Sequence, residues 1–230
     1  MSLFVIGDTH FSFGSGKPMD VFEGWAGFEN KLAHHWRASV SPEDTVVVAG
    51  DFSWAMNLEE AAEDFRFLDA LPGRKLLVKG NHDYWWTTAA KMDAFVAANG
   101  LQNIFFVNNN AYAAGPIAVC GTRGWLIEEN TLQDTKMILR EAGRLQASLL
   151  AGKKLGGEPV AFLHYPPVGP AGACEQILSV LEWAGVKRCH YGHLHAASAA
   201  RAVTGLHGNI RFSLIASDFL GFRPVLVEKY

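Results

Sequence analysis

The chain has 230 residues, 49% of them hydrophobic and 19% charged, a composition that excludes a disordered chain and allows a sizeable buried core. Its formal net charge of −3 excludes the broad basic footprint of proteins that grip long duplexes, so no obligate long nucleic-acid partner is expected. Three widely spaced cysteines, Cys120, Cys174 and Cys189, match neither a disulfide framework nor a paired-thiolate metal knuckle.

The segment Met1–Asp8 has no basic region and reaches a charge early, unlike a signal peptide. No apolar run approaches the roughly 18 residues of a membrane span. A soluble, cytoplasmic protein without a membrane partner is therefore expected. Apolar and β-branched runs alternate with stretches of helical period along the chain. A strand is predicted over Leu3–Ile6, then an irregular, glycine-rich segment Phe11–Gly24 of the kind that often carries function, and then a helix over Gly27–Ala38. Strand Thr45–Ala49, helix Leu58–Leu71, strand Lys75–Lys79 and helix Ala89–Ala98 follow. Strands Ile104–Val107 and Ile117–Cys120 precede a helix over Leu132–Leu150. That helix starts on the capping-box-like Thr131-Leu132-Gln133-Asp134, carries Leu132, Ile138, Leu139, Leu145 and Leu149, and has Gly152 as its expected stop. Strand Val160–Leu163, helix Glu175–Ala184, and strands Lys187–Tyr191, Ile210–Ile215 and Val225–Glu228 complete the chain. Strand and helix alternate first and strands dominate at the end, which fits a mixed sheet or two stacked sheets flanked by helices. With no repeat, low-complexity tract or linker, one domain over residues 1–230 is expected.

Five predicted strands end in residues of the metal-binding kind: Asp8-Thr9-His10, Gly50-Asp51, Gly80-Asn81-His82-Asp83, His164, and Gly192-His193-Leu194-His195. In α/β sheets the ligand crevice lies at the carboxyl ends of the strands, so separate strands deliver their last residues to one place. Within Asp8/His10 and within His193/His195 the spacing of two puts both side chains on one face of extended chain. The preceding glycines suit sharp turns or close approach to an ion. Each element alone is a weak signal: Asp-x-His is a common turn, Asn81 a common turn residue, and His164 a common half-buried histidine. Their joint occurrence after apolar strands carries the weight.

The ordered blocks D-x-H, G-D, G-N-H-D, H and G-H-x-H resemble the calcineurin-like metallophosphoesterase superfamily and span most of the chain. The resemblance implies an α/β fold of four layers, α-β-β-α, in which two mixed sheets are flanked by helices. It implies two divalent or trivalent transition-metal ions, one held by Asp8, His10, Asp51 and His195, the other by Asp51, Asn81, His164 and His193, with Asp51 bridging. Imidazole and carboxylate without thiolate suit manganese, iron, zinc or nickel. Paired ions ionise a bridging water to hydroxide, the expected nucleophile. By the family pattern His82 stays off the metals and protonates the leaving group. Asp83 either orients His82 or caps the following helix.

The second block reads Gly50-Asp51-Phe52-Ser53-Trp54 and lacks the Asp-Arg pair of protein phosphatases. That shifts the expected substrate to a small or nucleotide-like phosphodiester or phosphomonoester, with diesters slightly preferred. Arg123, in Gly121-Thr122-Arg123-Gly124-Trp125, is a candidate phosphate clamp or an ion-pair partner. With Arg140-Glu141-Ala142-Gly143-Arg144-Leu145 this segment resembles a bacterial phosphohydrolase subgroup. Trp85 either lines a substrate pocket or packs in the core. A nuclease for short single strands and a non-catalytic scaffold are the rival classes. The near-neutral charge weighs against the first, the complete ligand set against the second. Oligomeric state is not legible.

Overall fold

The computed structural model describes residues 1–125, 132–169 and 172–230. In chain order the elements are β1 (Ser2–Ile6), α1 (Phe28–Ser39), β2 (Thr45–Ala49), α2 (Ala62–Asp69), β3 (Arg74–Val78), α3 (Ala89–Ala98), β4 (Ile104–Val107), β5 (Ala111–Ala114), β6 (Ile117–Thr122) and α4 (Leu132–Leu155). Then come β7 (Glu158–Leu163), β8 (Val168–Gly169), β9 (Gly172–Ala173), α5 (Glu175–Trp183), β10 (Arg188–Tyr191), a 3-10 turn over Ala196–Arg201, β11 (Gly205–His207), β12 (Ile210–Leu214) and β13 (Val225–Lys229).

One sheet has the order β13-β1-β2-β3-β4 and the other β11-β12-β10-β7-β6-β5. The inner strands run parallel, and β13, β11 and β5 pair antiparallel at the edges. Both are thus mixed sheets. A parallel strand covered on both faces reads as a continuous apolar run. Accordingly every residue of β2, Thr-Val-Val-Val-Ala, is buried. Three buried clusters fill the three spaces between four layers. Leu32, Trp36, Phe65 and Met92 lie under α1, α2 and α3. Val5, Val47, Leu76, Val119 and Phe162 lie between the sheets. Ile138, Leu145, Leu149, Ile177 and Leu181 lie under α4 and α5. The expected α-β-β-α sandwich is what these residues build. All three cysteines are free and buried, and burial pushes the Cys120 thiol up to about 12.

Two expectations for α4 need correction, and its start, Thr131, lies outside the described residues. The helix does not stop at Gly152 but continues to Leu155. A Cβ at Gly152 would meet the Cys120 Sγ at 2.4 Å, so this glycine lets the helix lie close on β6. Leu139 is 59% exposed. The buried stripe is Ile138, Ala142, Leu145 and Leu149, an i, i+4, i+7, i+11 series on one face. The edge strands β5, Ala-Tyr-Ala-Ala, and β11, Gly-Leu-His, were not expected: they are only four and three residues long and carry no β-branched residue.

The two glycines of α4 make the packing testable. Gly143 has nothing within 4 Å of an added Cβ, so Gly143→Ala should stabilise by about 0.5–1 kcal/mol through lost unfolded-state freedom. Gly152→Ala should instead destabilise by about 1–3 kcal/mol through overpacking against Cys120. Denaturant midpoints of the two variants and of Gly152→Ala/Cys120→Ala check this. Equal effects at both glycines would mean that close approach is not the role of Gly152.

Candidate metal centre

Strands β1, β2 and β3 of one sheet and β7 and β10 of the other end at the same edge, and their next residues converge there. Asp8, His10 and His195 form one group with ligand atoms within 4.8 Å of one another, and Asp51, His164 and His193 form a second. Asp51 lies between them. Its Oδ2 is 3.9 Å from His10 Nε2 and 3.5 Å from His164 Nε2, while its Oδ1 accepts the His82 N–H at 2.7 Å. Asn81 Oδ1 is 2.5 Å from His164 Nε2, placing it with the second group. The seven sequence-predicted ligands are therefore brought together.

The backbone is forced to make this possible. Asp8, His10, Asp51 and His193 have φ of 57°, 47°, 48° and 72°, a left-handed conformation that costs side-chain-bearing residues roughly 1–3 kcal/mol each and clusters at functional sites. Glycine is needed where chains cross: a Cβ at Gly80 would lie 2.1 Å from Asp51 Oδ1, and one at Gly192 2.2 Å from Asp8 Oδ2.

The donors fit metal ions better than they fit one another. Asp8 is fully buried and Asp51 nearly so, and no Lys or Arg among the described residues pairs with either carboxylate. Imidazole nitrogens face each other, His10 Nε2 to His195 Nε2 at 3.4 Å and His193 Nδ1 to His164 Nε2 at 3.2 Å. Burial drives the Asp8 carboxyl up to about 7, against the opposing His195 charge and the His193 N–H. Asp51 is also raised, by burial and then by Asp83 and Asp8. Burial and neighbouring imidazoles push His10 and His164 well down and His193 to about 4, so these rings are neutral ligands at pH 7. A cation would resolve the clustered carboxylates and the facing lone pairs together.

His82 sits at the rim of the pair, with its ring 4.2 Å from that of Trp54 and 5.9 Å from that of His10. Its pKa is lowered by burial, then by Lys17 and His195. Tyr84 Oη is 3.4 Å from its Nδ1. Asp83 does neither of the two things expected of it. Its buried carboxylate accepts the N–H groups of Gly80, Phe52 and Ser53 and the Trp85 indole N–H at 2.7–3.2 Å, tying the β2 and β3 loops together behind the ligands. Trp85, 2% exposed, packs on Phe52 and Phe65 in the core and is not among the residues lining the cavity at the site.

Trp54 is stacked on His10 at 4.9 Å, and Trp25 meets the same ring edge-on at 5.8 Å. Trp54 helps line a cavity of about 270 Å³ whose walls also include Met19, Phe22, Trp25 and His82. Phe11–Gly24 thus supplies one wall of the cavity, as its length suggested. A second residue missed in the sequence is Asp218, beyond β12. It is 2.8 Å from His195 Nδ1 and accepts the Ala196 N–H at 2.9 Å, the arrangement that orients a metal-ligating imidazole. Burial alone would lower His195, but Asp218 and Asp8 outweigh it and leave the ring raised. Arg123 does not line this cavity. Its side chain is 14% exposed and lies 3.6 Å from the buried carboxylate of Glu141.

The calcineurin-like phosphoesterase family model matches residues 1–197. No curated protein is similar in sequence. Among solved structures, a protein of unknown function from Aquifex aeolicus is 18% identical with a TM-score of 0.54, covering 98% of this chain and 95% of its own. A phosphopantetheinyl hydrolase from Mycobacterium tuberculosis is 16% identical with a TM-score of 0.54, covering 99% and 96%. At these identities the likeness is one of fold.

Two outcomes follow from the electrostatics. Metal and proton compete for the same carboxylate oxygens, and Asp8 holds its proton below about pH 7. Metal affinity should therefore fall as pH drops below 7, about tenfold per unit for each proton displaced. Calorimetric titration in buffers of differing ionisation enthalpy counts those protons, and a flat profile from pH 8 to 5.5 would contradict a protonated Asp8. Asp218→Asn keeps an acceptor but removes the charge behind His195. It should weaken the ion beside Asp8 by about 10–100-fold and leave the other in place, as read by competitive metal titration.

Proposed function

The chain belongs to the calcineurin-like phosphoesterases, which makes it a metal-dependent phosphoric ester hydrolase; from that premise we propose that it cleaves a small or nucleotide-like phosphate ester, diesters ahead of monoesters, at a two-metal centre. The observation that carries the proposal is Asp51, whose carboxylate lies between the two ligand groups. Asp8, His10, Asp51 and His195 would hold one ion, and Asp51, Asn81, His164 and His193 the other. Neutral imidazoles and hard carboxylates suit manganese, iron, zinc or nickel. Bound ions would supply Lewis acidity toward the phosphoryl oxygens and lower the pKa of a water toward neutrality.

The protein's own groups do the rest. Asp83 holds the β2 and β3 loops in register, Asp218 fixes the ring of His195, and the Met19, Phe22 and Trp54 walls exclude water from one side of the ester. His82 is the proposed general acid. Burial and Lys17 favour its neutral ring, so the proton it donates must be held there by the negative charge of the incoming phosphate. The cavity of about 270 Å³ is sized for a small ester substituent, and one fold neighbour is named a phosphopantetheinyl hydrolase. We place the protein in the cytoplasm and treat residues 1–230 as one metallophosphoesterase domain.

Elemental analysis of reconstituted protein should give two ions per chain, and Asp51→Asn should lose most of the activity and retain metal poorly. Full activity with one ion would overturn the paired centre. His82→Ala should keep both ions and lose more turnover on alkyl or nucleoside esters than on nitrophenyl esters, because only the poorer leaving groups need the proton. General acid catalysis is typically worth about 10²–10⁴-fold. Turnover across esters graded by leaving-group pKa reads this directly. An equal loss across the series would make His82 a phosphate-positioning group.

A further inference from the structure

A second cleft lies on the same edge of the sandwich, past the ends of β3, β4 and β6, with Lys79, Trp86, Asn108, Arg123 and Arg144 in its walls. It adjoins the metal centre through the backbone. Lys79 is two residues before Asn81, and the Arg123 carbonyl accepts the N–H groups of His164 and Tyr165 at 3.1 and 2.8 Å. The carboxylate found with these cations, Glu141, is fully buried on α4 and already engaged. It accepts from Thr122 Oγ1 at 2.6 Å and from Arg144 at 2.9 Å, and lies 3.6 Å from Arg123.

Neutralising Glu141 accounts for one of the three positive charges. Among the described residues Lys79 makes no ion pair, and Arg123 Nε is buried without a hydrogen-bond partner. Arg123 and Arg144 repel the Lys79 ammonium, and among the described residues Asp83 and Glu141 are the charges that oppose them. The walls present donors: an ammonium, guanidinium N–H groups and the Asn108 amide. Such sets recognise phosphate oxygens, with Arg as a planar fork and Lys as a point charge. The free volume, about 20 Å³, admits one or two oxygens of an anion, at about 10–15 Å³ for each. A phosphate would therefore seat its outer oxygens on these donors with its remainder at the cleft mouth, and a ring is excluded.

We propose that this cleft binds a phosphate group additional to the one that is hydrolysed. It rests on the phosphoesterase reading for the destination of the first phosphate and on the cleft's own charges for the second. The second phosphate belongs either to the same substrate molecule or to free inorganic phosphate, and the chemistry of recognition is the same.

Equilibrium dialysis of the two-metal protein against radiolabelled inorganic phosphate counts the sites. Two per chain are expected, one at the metals and one in the cleft. Lys79→Met removes a charge that supports no structural partner, so the variant should fold, keep both ions and bind one phosphate in the same range, with affinity for the second lowered at least tenfold. Lys79→Arg should restore it. One phosphate in the wild type, or two of unchanged affinity in Lys79→Met, would overturn the proposal. The KM of thymidine 5′-(p-nitrophenyl phosphate) with and without a 3′-phosphate then assigns the source. A lower KM with the 3′-phosphate that vanishes in Lys79→Met places it on the substrate, and equal KM values with two phosphates still bound place it in solution. If no ester is turned over while two phosphates bind, the phosphoesterase reading fails and the cleft stands.

Discussion

The Asp51 carboxylate is the junction on which the site edge of this protein turns. It stands at the end of β2, in the middle of one sheet, and one oxygen reaches toward His10 of its own sheet and His164 of the other while the second takes the His82 N–H. Two sheets packed through apolar residues alone could slide. A carboxylate shared between them fixes their relative depth at this edge, because a slip of even one strand residue, about 3.3 Å, would separate Asp51 from His164 while leaving it beside His10. The crossing at Gly80, which leaves no room for a Cβ beside Asp51, follows from the same requirement.

Around that junction two further carboxylates do structural work that resembles catalysis only by proximity. Asp83 is buried and raised to about 6, mainly by burial, with three backbone N–H groups and an indole N–H opposing. Four donors converging on one group hold the two ligand-bearing loops as a unit. Asp218 plays the equivalent part for His195 from the other sheet. The candidate ligands are thus braced from both layers, as a metal site requires of the groups behind its ligands.

How much of this was legible in the sequence depends on how local each signal is. The ligands were legible because each sits at the end of an apolar run, next to a glycine or within two residues of another ligand, so sequence neighbourhood and spatial neighbourhood coincide. Most of the strands and helices were legible for the same reason. Trp54 and Asp218 were not. A single tryptophan after a strand and a single aspartate in a loop have no periodicity, and only the tertiary fold brings Trp54 onto His10 and Asp218 onto His195. Trp85 drew attention by adjacency to the Gly-Asn-His-Asp block, but its indole N–H is tied to the buried Asp83 carboxylate and its ring packs on Phe52 and Phe65 in the core. Gly152 was misread because a glycine in a helix signals either a terminus or a close approach, and the partner that decides between them, Cys120, is on a distant strand.

The distribution of strain explains why the remainder of the molecule is so regular. Four site residues in left-handed conformation, at roughly 1–3 kcal/mol each, and the buried carboxylates of Asp8 and Asp51, the first raising the second, together oppose folding by an amount comparable with the whole net stability of a domain, about 5–15 kcal/mol. The opposing stabilisation has to come from elsewhere, and three continuous apolar layers, with β1, β2 and β3 buried along nearly their whole length, provide it. Bound cations would relieve the carboxylate part and leave the backbone part, since φ is set by where the strands end. The strain at this edge follows from where the strands end, and regularity in the layers is the condition that allows it.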